Sequence, residues 1–89
     1  MQRIDIRPMG PHEYAVQVTE GVYTTHHRVT VPEDLIDDLG VTDERRLVHE
    51  SLEFLLERHS AESLRSEFDL DDISREDPAY TEEMRTRLS

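Results

Sequence analysis

Charged and apolar residues alternate along Arg3-Ile4-Asp5-Ile6-Arg7 with the two-residue period of a strand, and Pro8 with Gly10-Pro11 closes it by a turn. Tyr14, Val16 and Val18 continue the alternation, then Tyr23, Thr25, His27, Val29 and Val31 resume it beyond Glu20-Gly21, which predicts a hairpin. A loop at Glu20-Gly21 sets Val18 opposite Tyr23, Val16 opposite Thr25 and Tyr14 opposite His27, with Glu13 facing Arg28 on the other side. From Pro32 the period changes to that of helices. Pro32-Glu33-Asp34 opens a short helix carrying Leu35, Ile36 and Leu39, and Gly40 ends it. Thr42 is placed to cap a longer helix reaching Arg58, whose apolar positions Leu47, Val48, Leu52, Phe54, Leu55 and Leu56 cover more than one side. Ser60 is placed to cap a short helix burying Ala61, Leu64 and Phe68. The acidic run Asp69 to Asp77 reads as a loop or single turn. Asp77-Pro78 then starts a last helix with Tyr80, Met84 and Leu88 on one stripe.

This pattern predicts an α+β fold in one domain spanning residues 1–89: a three-stranded antiparallel meander, then a central helix, then shorter C-terminal helices. The breadth of the central apolar stripe leaves two readings, a helix covered on several sides or a dimer seam through Phe54, Leu55 and Leu56.

Composition changes the picture in one respect. All ten basic residues are arginine, and they face twenty-one carboxylates for a formal net charge of -11. Such a surface suits a salt-adapted prokaryote, because at molar salt the Debye length falls to about 3 Å and self-repulsion costs little. The charge is unevenly placed. Residues 1–32 hold three acids and three arginines, whereas residues 33–89 hold eighteen acids and seven arginines. An anionic partner would therefore meet the neutral N-terminal third, and nucleic acid is disfavoured by the remainder. Cysteine is absent, which excludes disulfides and thiolate chemistry and fits a cytoplasmic setting. The first residues lack the pattern of a signal peptide, and no apolar run approaches the length of a membrane span.

Candidate chemistry is sparse. His49-Glu50-Ser51-Leu52-Glu53 begins like the zinc-protease helix, but the position of the second histidine ligand is Glu53. His49, Glu53 and Glu57 would supply half a metal site, or simply a solvated strip opposite the apolar face. His26 and His27 are adjacent on a strand, so they point to opposite faces, with His27 expected to pack beneath Tyr14. On the outer face Thr24, His26, Arg28 and Thr30 form a row of donors suited to a partner. No serine sits in a nucleophile elbow and no glycine-rich loop cradles phosphate, so the residues nominate no catalytic, metal or cofactor site.

Two resemblances follow from these segments. Arg28-Val-Thr-Val-Pro-Glu-Asp-Leu-Ile-Asp-Asp-Leu-Gly with Arg46-Leu-Val-His-Glu-Ser-Leu-Glu-Phe-Leu-Leu-Glu-Arg58 resembles the strand, short helix and long helix of ribbon-helix-helix regulators and antitoxins. That resemblance implies Arg28 and Thr30 facing DNA and a dimer core in the long helix. Nearly end to end, Thr25-His-His-Arg-Val-Thr-Val-Pro, Glu53-Phe-Leu-Leu-Glu-Arg58 and Phe68-Asp-Leu70 are similar to short, uncharacterised proteins of archaea and bacteria, which implies no particular activity. The expectation from the residues is a non-enzymatic interaction module for another protein, itself included, with the DNA-binding regulator as the alternative.

Overall fold

The computed structural model describes residues 2–89, and Met1 lies outside them. In chain order the elements are β1 (Gln2–Gly10), β2 (Glu13–Glu20), β3 (Tyr23–Thr30), α1 (Glu33–Leu39), α2 (Glu44–Leu56), a 3-10 turn at Ala61–Ser63, β4 (Glu67–Asp69), α3 (Leu70–Glu76) and α4 (Tyr80–Leu88). The α+β class holds, but the sheet is mixed. Its order is β1-β2-β3-β4, with three antiparallel strands and β4 parallel to β3. The parallel return is possible because α1 and α2 intervene between β3 and β4, giving the long crossover that parallel pairing requires. Phe68 therefore lies in a strand opposite Val29, not in a helix with Ala61 and Leu64.

The hairpin turns at Gly21-Val22, one residue later than expected, with Gly21 at φ 60° and Glu20 paired with Tyr23. Glycine at the first position of a two-residue loop supplies the positive φ that such turns favour. Every cross-strand pair moves by two residues: Val18 faces Thr25, Val16 faces His27, and Tyr14 faces Val29. A slip of two keeps each side chain on its face, so the apolar side survives intact. The outer pairs do change. Glu13 faces Thr30 and Arg28 faces Ala15, and Arg28 reaches Glu67 across the sheet at 3.8 Å. β1 continues through Pro8 to an irregularity before Gly10, which an edge strand tolerates because one side needs no ladder bonds.

The helices cover one face of the sheet. Asp43, not Thr42, caps α2, its carboxylate accepting the Arg46 N–H at 3.1 Å. The acidic run read as a loop contains α3, started by a reciprocal capping box. Asp69 accepts from the Asp72 N–H at 3.1 Å, and Asp72 accepts from the Asp69 N–H at 3.2 Å. That helix buries Leu70 and Ile73. The core joins Ile6, Val16, Val18, Val29 and Val31 of the sheet side to Leu47, Val48, Leu52, Phe54 and Leu55 of α2, and to Tyr80 and Met84 of α4.

This settles where the broad stripe of α2 goes. Phe54 is fully buried, edge-to-face with Tyr80 at 5.4 Å, and the Arg58 guanidinium lies 3.7 Å from its ring centroid. Leu55 is buried and Leu56 is half-buried against the same core. The chain itself covers the face that the dimer-seam reading assigned to a second subunit. β3 is likewise occupied on both edges, by β2 and β4, and has no free edge for the intersubunit pairing of a ribbon-helix-helix dimer.

Candidate functional site

Because all helices lie on one side, alternate residues of the sheet point to an uncovered face. Thr24, His26, Arg28 and Thr30 are all exposed there, in line along β3. The register extends them into rows: Arg3–Thr19–Thr24, Asp5–Gln17–His26 and Arg7–Ala15–Arg28–Glu67. The four nominated residues are thus brought together, along with Arg3, Arg7 and Gln17, which the sequence reading had not joined to them. Alanine at position 15 lowers the centre of the face. A depression of about 580 Å³ forms there, lined by Arg3, Arg7, Gln17, His26 and Arg45 among others.

The electrostatics of this face differ from the rest of the molecule. Arg3 pairs with Asp5 at 3.3 Å and Arg28 with Glu67 at 3.8 Å, both exposed pairs that contribute little to stability. Among the described residues, Arg7 and Arg45 have no carboxylate within 4.0 Å. In a chain with twenty-one acids, two unpaired guanidinium groups in one depression make this a cationic spot on an anionic protein. Guanidinium groups offer planar, forked donors suited to carboxylate or phosphate oxygens.

Other histidines have structural partners. His27 is buried, and its Nδ1 lies 2.7 Å from the Arg65 carbonyl, which can only accept, so Nδ1 carries the hydrogen. Nε2 then accepts from the Thr25 hydroxyl at 2.9 Å, and the ring meets Phe68 edge-on at 6.3 Å. The residue ties β3 to the segment entering β4 and does not lie beneath Tyr14. His12 stands in the β1–β2 turn at φ 59°, with Nδ1 2.8 Å from Glu44 and Nε2 3.3 Å from Glu33. It clasps the starts of α1 and α2 to the turn. The Glu44 hydrogen bond raises the His12 pKa above the ordinary histidine value against a smaller opposing effect of desolvation, and the charges of Glu44 and Glu33 add to the rise. No local motif signals this clasp, because its partners are more than twenty residues away.

On α2, His49 Nδ1 lies 3.2 Å from Glu53, and the donor atoms of His49, Glu50 and Glu53 fall within 4.8 Å of one another. All three are half-exposed on one helical turn, and Glu57 is drawn away to Arg87 at 2.8 Å. Both readings offered by the sequence, part of a cation site and a solvated polar strip, fit this arrangement. Among the serines, Ser51 is fully buried, its Oγ donating to the Leu47 carbonyl at 2.7 Å and lying 2.6 Å from Tyr80 Oη. No serine hydroxyl among the described residues hydrogen-bonds a histidine, and the Thr25 hydroxyl is the one that does, on His27. No helix among the described residues is long and apolar enough to cross a membrane. The chain matches no protein-family model, no curated protein and no solved structure, so its geometry alone carries the functional reading.

Proposed function

We propose that this protein is a non-enzymatic binding module of a salt-adapted cytoplasm, engaging another protein through the open face of its sheet. The observation that carries this reading is the uncovered row Thr24, His26, Arg28 and Thr30, continued by Arg7 and by the cationic depression beside it. A sheet face that faces water needs polar residues but not unpaired cations. Arginines without partners, on a chain where carboxylates outnumber them two to one, are best explained by an acidic group that a partner brings. A carboxylate-bearing protein segment fits better than nucleic acid. The eighteen acids of residues 33–89 would repel a polyphosphate chain at ordinary salt.

Cross-linking mass spectrometry in cells, on wild type and on Arg7→Glu with Arg28→Glu, tests this. Both side chains are exposed, so the variant should fold. Partner cross-links to β2 and β3 should disappear in the variant while its melting temperature stays within a few degrees. Cross-links that persist unchanged, or that map to the helical side in both proteins, would remove the open face as the binding surface.

A further inference from the structure

We propose that β1 is a self-association edge, to which β1 of a second copy adds in antiparallel fashion to make one eight-stranded sheet across a two-fold axis. β1 is the longest strand, nine residues, and one of its sides is unpaired. Natural sheets blunt such edges with proline, charge or a covering element. Here Pro8 blunts the far end, and Gln2 to Arg7 is guarded only by the charges of Arg3, Asp5 and Arg7, which a strand of matching charge satisfies.

Charge selects the partner and the register. The segment Arg3-Ile4-Asp5-Ile6-Arg7 reads the same in both directions. Antiparallel copies that keep isoleucine opposite isoleucine or another inward residue can be centred on Ile4, Asp5 or Ile6. Centring on Asp5 sets Asp5 against Asp5 and Arg3 against Arg7, which is repulsive throughout. Centring on Ile6 brings Pro8, which has no N–H, opposite Ile4 on both sides. Centring on Ile4 sets each Arg3 opposite the other copy's Asp5 and uses no proline. Arg3 and Asp5 already lie 3.3 Å apart along the strand, so the two copies complete a ring of four alternating charges.

The neighbouring surface also suits an added strand. Between β1 and α2 run two adjoining depressions of about 290 and 370 Å³ that share Ile4 and His49. Ile4 is half-buried, and in the Ile4-centred register the second copy's Ile4 and Ile6 lie on the same side as this groove. Strand addition supplies main-chain hydrogen bonds, with such pockets for alternate side chains. Residues 2–32 carry no net charge, so the added strands themselves do not repel, while α2 brings Asp43, Glu53 and Glu57 beside the same edge. The long-range repulsion between the acidic helical parts is screened by salt, so the dimer should tighten as salt rises.

Sedimentation-equilibrium measurements in molar potassium chloride test the edge with charge exchange at two exposed positions. Wild type should dimerise. Asp5→Arg alone and Arg3→Asp alone each turn both cross-strand pairs repulsive, and dimer dissociation constants should rise about tenfold or more. Mixed in equal amounts, the two variants should form a heterodimer, since each then meets its opposite charge. Circular dichroism on each variant verifies that the fold is kept. A wild type that stays monomeric at all salts, or a dimer whose stability ignores both exchanges, or variants that fail to pair with each other, would overturn the proposal. An acidic partner still bound at the open face of such a monomer would leave the functional proposal standing alone.

Discussion

The buried contact between α2 and α4 permits a quantitative prediction. Ser51 and Tyr80 are both fully buried, and their hydroxyl oxygens are 2.6 Å apart. The single Ser51 hydrogen goes to the Leu47 carbonyl, 2.7 Å away, so Tyr80 must be the donor to Ser51. Tyr80→Phe therefore removes a donor without orphaning its acceptor, since Ser51 keeps Leu47. The expected loss is about 1 kcal/mol, the ordinary net worth of a hydrogen bond. Ser51→Ala is different, because it leaves the Tyr80 hydroxyl in the core with no protein acceptor. The loss should be about 1–3 kcal/mol, offset by roughly 0.5 kcal/mol of better helix propensity. The double variant has neither donor nor acceptor and should cost only about 1 kcal/mol. The two single effects should thus exceed the double effect by about 0.5–2.5 kcal/mol, a coupling that independent sites do not show. Urea unfolding at constant salt and pH 7 measures all four proteins, with equal m-values required for the comparison. Strict additivity would refute the assigned donor direction and the buried state of the pair.

Further predictions concern titration, salt and capping. Burial pushes the Tyr80 pKa up to about 12, so its contribution is full below the ordinary value near 10 and is lost as pH rises through 12. Wild-type stability should fall over that window by an amount on the order of 3 kcal/mol, and Tyr80→Phe should flatten the fall in alkaline unfolding curves. The His12 clasp also has a raised pKa, so it stabilises fully below pH of about 6.5 and fades as pH rises through the folded value. His12→Asn tolerates the left-handed backbone and should remove that part of the pH dependence of Tm. The net charge of -11 predicts a melting temperature that climbs from dilute buffer to molar potassium chloride, and a flat profile would contradict the salt-adapted reading. Asp69→Ala removes the reciprocal cap of α3 and should cost about 1 kcal/mol in urea unfolding.

Within the candidate site, the row Thr24, His26, Arg28 and Thr30 was legible because strand alternation fixes a face without knowledge of register. Arg3, Arg7 and Gln17 joined it only once β1 and β2 were paired, and Arg45 only because α2 starts beside β1. Their proximity depends on folded distance, which sequence spacing does not encode. The His12 clasp was hidden for the same reason, since its carboxylates come from the first turns of two later helices.

Taken by itself, the chain determined the three antiparallel strands, the proline-opened first helix, the long second helix and the docking stripe of the last one. These follow from local periodicity and end signals that act within a few residues. Tertiary structure decided what local rules leave degenerate. A hairpin slip of two residues preserves both faces, so only the turn at Gly21-Val22 could choose the register. Glu67–Asp69 is too short to show a period, and it became a strand because β3 offered an open side. The acid-rich α3 looked like a loop because the carboxylates of Asp69, Asp71, Asp72 and Glu76 outnumber Leu70 and Ile73, the two residues it buries. The wide stripe of α2 fits a subunit seam and an intramolecular core equally well in sequence. Tyr80 and Met84 of α4 decide between them by filling that space first, leaving no apolar α2 surface for a second chain at Phe54.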